Sequence, residues 1–209
     1  MRARMALAYA NIDYQVREVV LRDKPPSMLE LSSKGTVPVL CLGERLQGES
    51  ILDESIDIFD WALGKHDPDG WCDYDAATLA EMKALTLRCD MDFKSCLDYY
   101  KYADRHPQRS QLDYRQEAGV FLGELEHLLA AQPAEPRFLF GPRMSYADVA
   151  IFPFIRQFAH VDLPWFETAA YPHLQTWLTE FKNSALFLSI MKKYPQWQEG
   201  DAVTLFSES

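Results

Sequence analysis

Apolar residues recur at helical spacing from the first residue of the chain. Met1, Met5, Ala8 and Ile12 share one face of MRARMALAYANI, and Ala, Leu, Met and Arg favour helix. No Ser, Thr, Asp or Asn precedes this helix to cap it. The period then shortens to two: YQVREVVL (14–21) alternates and is rich in β-branched residues, which predicts a strand. LRDKPP breaks the strand, SMLELS (27–32) predicts a short helix, and SSKGT a turn. TVPVLCL (36–42) is a second strand containing Pro38, which cannot donate a ladder hydrogen bond and belongs at a strand start, a bulge or an edge. ERLQGES (44–50) predicts a third, weaker strand. LDESIDIFDWAL (52–63) is an amphipathic helix with Ile56, Phe59 and Leu63 facing inward.

From Gly64 to Tyr74 the pattern lapses into GKHDPDGWCDY, whose Asp, Gly and Pro signals mark a linker. Beyond it only helical periods appear: 75–103, 111–131, MSYADVAIFPFIRQFAHV (144–161), and one or two helices over 171–194. Pro153 lies inside the third of these and is expected to kink it. The predicted organisation is a small domain over 1–64, a linker over 65–74 and an all-helical domain over 75–209. The element order in the first part is helix, strand, helix, strand, strand, helix. A strand entering a crossover helix normally pairs in parallel with a partner strand, yet no strand precedes the opening helix.

Composition narrows the function classes. Hydrophobic residues make up 48 % of the 209 and charged residues 25 %, as in ordinary globular domains. No apolar run is long enough to span a bilayer, and no secretory leader pattern opens the chain, so a cytoplasmic protein without membrane partners is expected. A formal charge of −10 repels phosphate backbones and argues against a nucleic-acid role. Cys41, Cys72, Cys89 and Cys96 form no CxxC and have no His at ligand spacing, so no metal is expected. Cys89 and Cys96, seven apart on one helical face, read as two small buried hydrophobes in a reducing compartment.

Three places carry a family resemblance. TVPVL (36–40), followed at this distance by DESIDI (53–58), is similar to the thioredoxin-like domain of cytosolic glutathione S-transferases, in which a cis Val-Pro peptide precedes a strand and an acidic residue and Ser open the next helix. MRARMALAYANIDYQVREVVLRDKPPSMLELS resembles the helix, strand and lysine segment of omega-like transferases and two-domain glutaredoxins. MSYADVAI places Ser145 at an N-cap, Asp148 at N3, and Met144 and Val149 at the staple positions, which resembles the capping box of the transferases' helical domain. The resemblance implies a glutathione S-transferase fold: an α/β thioredoxin-like N-terminal domain, here without its first β-strand, followed by an all-α helical bundle.

It also implies glutathione as co-substrate. Glu54 would take the α-ammonium of the γ-glutamyl end. Ser55, at a helix N-terminus, would take the adjoining carboxylate. Val37, before Pro38, would offer its backbone to the cysteinyl part, much as an added strand does. Lys24 would pair with the glycyl carboxylate. Read from the residues alone, Glu54 and Ser55 serve equally as helix caps, with Asp53 as the alternative cap, and Lys24 as a solvated charge. Tyr99 and Tyr100 are candidates for a second-substrate pocket or for core, and Arg2 and Arg4, near the start of the first helix, would favour a thiolate nearby or stand as exposed charges on the first turn. The partners implied are an electrophile or a mixed disulfide, and a second copy in a homodimer.

In the family register the catalytic Cys, Ser or Tyr precedes the first helix, so the expectation is that no catalytic residue lies in this chain and that activity is impaired. Met1 falls inside the motif, which favours a late assigned start over a true truncation. A third possibility is that another segment fills the gap, either a partner chain or the strand-like AVTLF (202–206). An alternative function is a non-catalytic binding module on the same fold.

Overall fold

The computed structural model describes residues 1–43, 51–133 and 136–206. They form two compact units, 1–68 with 185–209, and 69–184. Residues 185–209, grouped with the helical part in the sequence analysis, thus cluster with the N-terminal residues.

The first unit opens with α1 (Arg2–Tyr9), N-capped by Met1 without a side-chain hydrogen bond. Ala3, Met5, Ala6, Leu7 and Ala8 are all buried, because α1 packs against both α3 (Ser55–Lys65) and α10 (Ala185–Ser189). A helix covered on two sides buries more than one stripe. Tyr9 Oη donates to Asp67 Oδ1 at 2.7 Å, tying its end to the chain beyond α3. Strand β1 is only Tyr14–Gln15, shorter than the alternating pattern suggested. Helix α2 (Pro26–Leu31) begins on Pro26, where the missing N–H costs nothing.

Strands β2 (Leu40–Cys41) and β3 (Ile51–Leu52) pair antiparallel, Leu40 with Leu52 and Cys41 with Ile51. The weak strand expected over 44–50 lies outside the described residues. The segment AVTLF supplies β4 (Leu205–Phe206), antiparallel to β1, with Tyr14 opposite Phe206. Their rings stack at 4.9 Å, Phe206 is buried, and Val16 N–H donates to Thr204 O at 2.8 Å. The segment named as a candidate cover for the sheet therefore does pair with it. Both strand pairs among the described residues are antiparallel.

The second unit is helical: α4 (Ala76–Arg88), α5 (Lys94–Lys101), α6 (Gln111–Ala130), α7 (Tyr146–Ala159), α8 (Leu163–Thr168) and α9 (Pro172–Asn183). The long periodic stretch over 75–103 is interrupted by a π-helical turn, Cys89–Phe93, and α7 continues through Pro153. The core is aromatic: Phe152 stacks on Phe181 at 4.6 Å, and Phe93 lies 5.1 Å from Phe121 and 5.5 Å from Phe158. The segment entering α4 is fixed by Gly70, at φ +68°, where an added Cβ would come within 2.9 Å of Asp73 Cβ. Arg143 holds this turn through the Asp69 and Asp73 carbonyls.

Asp148 organises the interior of this unit. Its Oδ2 accepts from Ser145 N–H (3.0 Å) and Ser145 Oγ–H (2.5 Å), and its Oδ1 from Leu139 N–H (2.9 Å) and Trp177 Nε1–H (2.9 Å). Ser145 and Asp148 are fully buried. Burial pushes the Asp148 carboxyl up to about 6, against the four donors that favour its charge. The capping pair legible in MSYADVAI thus also anchors the loop at Leu139 and helix α9.

Candidate functional site

The candidate ligand frame lies in the first unit, where a loop from the end of α2 meets the start of α3. The loop turns at Gly35, whose φ of +61° suits the absence of a Cβ. Lys24 is half-buried, and its Nζ lies 3.9 Å from where a Gly35 Cβ would stand. Val37 follows, 47 % exposed, and the Val37–Pro38 peptide is cis, as the resemblance implied. From Pro38 the chain enters β2. Because β2 and β3 run antiparallel, the residues before Leu40 and those after Leu52 leave the pair at the same end. The strand pairing therefore brings exposed Val37 and the start of α3 to one end of the β2–β3 pair.

Glu54 is the N-cap of α3 in an extended conformation, with no side-chain cap bond. The first intrahelical bond runs from Ile58 N–H to Glu54 O at 3.1 Å. The N–H groups of Ser55, Ile56 and Asp57 thus precede the helical ladder and point positive partial charge outward. Asp53 makes no cap either: Oδ2 accepts from Ser32 Oγ at 2.7 Å and Oδ1 from Lys34 Nζ at 2.8 Å. Hydrogen bonds from Lys34 and then Ser32 hold the Asp53 carboxyl below its usual range. Lys34 also reaches Glu54 Oε1 at 2.8 Å, and these two carboxylates raise its own pKa. The two readings of DES as helix caps therefore find no support in the side-chain geometry.

Lys34 escaped the sequence analysis because SSKGT read only as a turn. No periodicity signals a lysine that bridges carboxylates 19 and 20 residues away. The first-turn arginines are a correction. Arg2 is 3 % exposed and its Nη1 lies 3.4 Å from Ser55 Oγ, while Arg4 pairs with Glu18 at 2.6 Å. The exposed-charge reading fails for Arg2 because α1 is covered on two sides, while Arg4 keeps a partly exposed side chain.

The tyrosine candidates separate. Tyr99 is 40 % exposed and lines a groove of about 810 Å³ in the second unit, with Met91, Phe93, Val120 and Phe121. Tyr100 is buried against Phe158, at 5.0 Å, and burial raises its phenol pKa. Cys89 is fully buried, but Cys96 is half-buried and opens on the groove. A π turn, Cys89–Phe93, lies between the two positions, so they are not seven residues apart on one regular α-helix. Desolvation and the nearby Glu117 push the Cys96 thiol up, away from the thiolate. None of the four cysteines forms a disulfide, and Cys41 is exposed on β2. Among the described residues no group of three or more His, Cys, Asp or Glu is placed to hold a metal ion, and no helix is long and apolar enough to cross a membrane.

Comparison with known proteins agrees with this architecture. The profile of the family described as "Glutathione S-transferase, N-terminal domain" matches residues 1–70, and that of "Glutathione S-transferase, C-terminal domain" matches residues 115–180. The chain belongs to the glutathione S-transferase superfamily. Among solved structures, a glutathione S-transferase from Rhodospirillum rubrum F11 shares 20 % identity at a TM-score of 0.72, covering 93 % of this chain and 87 % of that one. Glutathione transferase F7 from Populus trichocarpa shares 17 % at 0.69, covering 90 % of each. Glutathione S-transferase-I, solved with lactoylglutathione bound, shares 18 % at 0.68, again covering 90 % of each. These likenesses show the fold: a small-sheet N-terminal part and a mostly helical C-terminal part. No curated protein matches the sequence.

Proposed function

We propose that this chain binds glutathione at the junction of the 32–38 loop and the start of α3, and acts in glutathione-dependent thiol transfer or conjugation, with an electrophile or a mixed disulfide as second substrate. The observation that carries the reading is the arrangement at α3. Glu54, half-exposed, stands beside Ser55 and the N–H groups of the first turn that precede the helical ladder, and exposed Val37 lies just before β2, at the end of the β2–β3 pair where α3 begins. Glutathione's γ-glutamyl end carries an ammonium and a carboxylate on one carbon. Glu54 is the acceptor for the first. Ser55 and the α3 N-terminus are the donors for the second. Val37 pairs with the extended cysteinyl backbone, and Lys24 attracts the glycyl carboxylate. A family neighbour solved with a glutathione derivative supports the ligand class.

Chemistry at the glutathione sulfur needs a group that stabilises its thiolate. Cys41, Cys72, Cys89 and Cys96 do not stand at the N-terminus of α1, whose cap position holds Met1. With none of these four cysteines so placed, a second reading is a glutathione-binding module without transfer activity, and slow transfer by residues 1–209 alone is the expectation. Exposed Tyr99 on its groove is the better candidate of the two tyrosines for a second substrate. Four cysteines without a disulfide suit a cytoplasmic setting, and Leu87 and Leu112, both exposed on the second unit, suit self-association as a homodimer.

Glutathione-affinity capture, followed by conjugation and mixed-disulfide reductase assays, tests the reading. Capture with slow turnover is expected. Failure of the folded chain to be retained overturns the binding site, and rapid turnover overturns the second reading.

A further inference from the structure

Asp53 and Glu54 put two carboxylates side by side where a ligand carboxylate is meant to dock. The γ-glutamyl end needs one carboxylate, for its ammonium. A second negative charge repels the α-carboxylate that must reach Ser55 and the first-turn N–H groups. The surroundings resolve this conflict. Both oxygens of Asp53 are engaged, Oδ1 by Lys34 and Oδ2 by the buried Ser32. Glu54 gives only Oε1 to Lys34, and among the described residues its Oε2 has no side-chain partner in hydrogen-bond range. The single ammonium of Lys34 sits 2.8 Å from each carboxylate.

We propose that Lys34 is a positioning and specificity residue for the amino-acid end of glutathione: it cancels one of the two charges, fixes Glu54 with one oxygen free, and so makes the site selective for a head group carrying both an ammonium and a carboxylate. The proposal rests on the glutathione reading above and deepens it. Lys34 acts through Asp53 and Glu54. Its exposure means that it adds little to global stability, so its value lies in the local charge pattern. At these contact distances, well inside the screening length of physiological salt, that pattern is retained in solution.

The test compares two ligands: glutathione, and its analogue in which the γ-glutamyl α-carboxylate is converted to the carboxamide. Affinities are measured calorimetrically for the wild type, Lys34→Met and Lys34→Arg, with circular dichroism confirming that each is folded. The wild type is expected to prefer glutathione over the carboxamide by about tenfold, the scale of one charge–charge contact near a surface. Lys34→Met is expected to lose glutathione affinity and to abolish the preference, because the carboxamide does not feel the uncancelled charge. Lys34→Arg restores it. If both ligands weaken equally, if Lys34→Met keeps the preference, or if Lys34→Arg fails to restore it, the assignment of Lys34 is overturned while the binding site stands. If the folded wild type binds neither ligand, the glutathione reading itself fails, and this assignment fails with it.

Discussion

Replacing Asp148 with Ala removes the acceptor for four donors at once. Ser145 Oγ can rotate to another partner, but the N–H groups of Leu139 and Ser145 and the indole N–H of Trp177 are left in a fully buried site. At about 2 kcal/mol for each buried donor left unpaired, the loss is about 6 kcal/mol. Part of it is returned, because the wild type pays to hold a carboxylate out of water. The carboxyl is raised from 3.8 to about 6, and that shift corresponds to about 3 kcal/mol wherever the group is ionised in both states. The sign follows from linkage. A group whose folded pKa lies above its unfolded value contributes stability that is complete below the unfolded value and is lost as pH rises through the folded one. The Asp148→Ala penalty is therefore expected to be largest near pH 4, at about 6 kcal/mol, and to decline to about 3 kcal/mol above pH 6. Urea unfolding of both proteins, followed by tryptophan fluorescence across that range, reads the difference and cancels the titrations they share. A penalty under about 1 kcal/mol at pH 5, or one that grows between pH 4 and pH 7, refutes the reasoning.

Other expectations are simpler to state. Glu54→Ala should weaken glutathione binding about tenfold or more, the loss of one charge-assisted hydrogen bond, with unfolding unchanged; calorimetry beside a denaturation curve checks both. Gly70→Ala forces a Cβ to within 2.9 Å of Asp73 at a positive φ and should cost about 1–3 kcal/mol in the helical unit, measured by thermal unfolding. Phe206→Ala removes the ring stacked on Tyr14. It should destabilise the first unit by about 3 kcal/mol and lower the Tyr14 phenol from about 12 toward its ordinary 10.0, because burial is the main cause of the rise. Ultraviolet titration of the phenol and limited proteolysis of the C-terminal segment read these two effects.

What was legible in the sequence depended on range. The Ser145–Asp148 box and the DES start of α3 were visible because both are local signals, set by spacings of one to three residues. The reach of Asp148 to Leu139 and Trp177 was not, since those partners lie 9 and 29 residues away. Lys34 was missed for the same reason, and Arg2 because periodicity reports one buried stripe while α1 packs on two sides. The π turn at Cys89–Phe93 leaves no mark in composition, and it breaks the regular spacing that put Cys89 and Cys96 on one face. AVTLF was recognisable as strand-like, but nothing in its pattern named β1 as its partner. At the ligand frame the residue types were readable from the resemblance. The division of labour between Asp53, saturated by Ser32 and Lys34, and Glu54, left with a free oxygen, required the geometry.

The most direct test of the proposed glutathione site is a titration of the isotope-labelled chain followed by amide nuclear magnetic resonance. The account predicts saturable shifts centred on the amides of Val37, Ser55 and Ile56, and their loss in Glu54→Ala. Shifts confined to the groove around Tyr99, or none at millimolar glutathione, would contradict it.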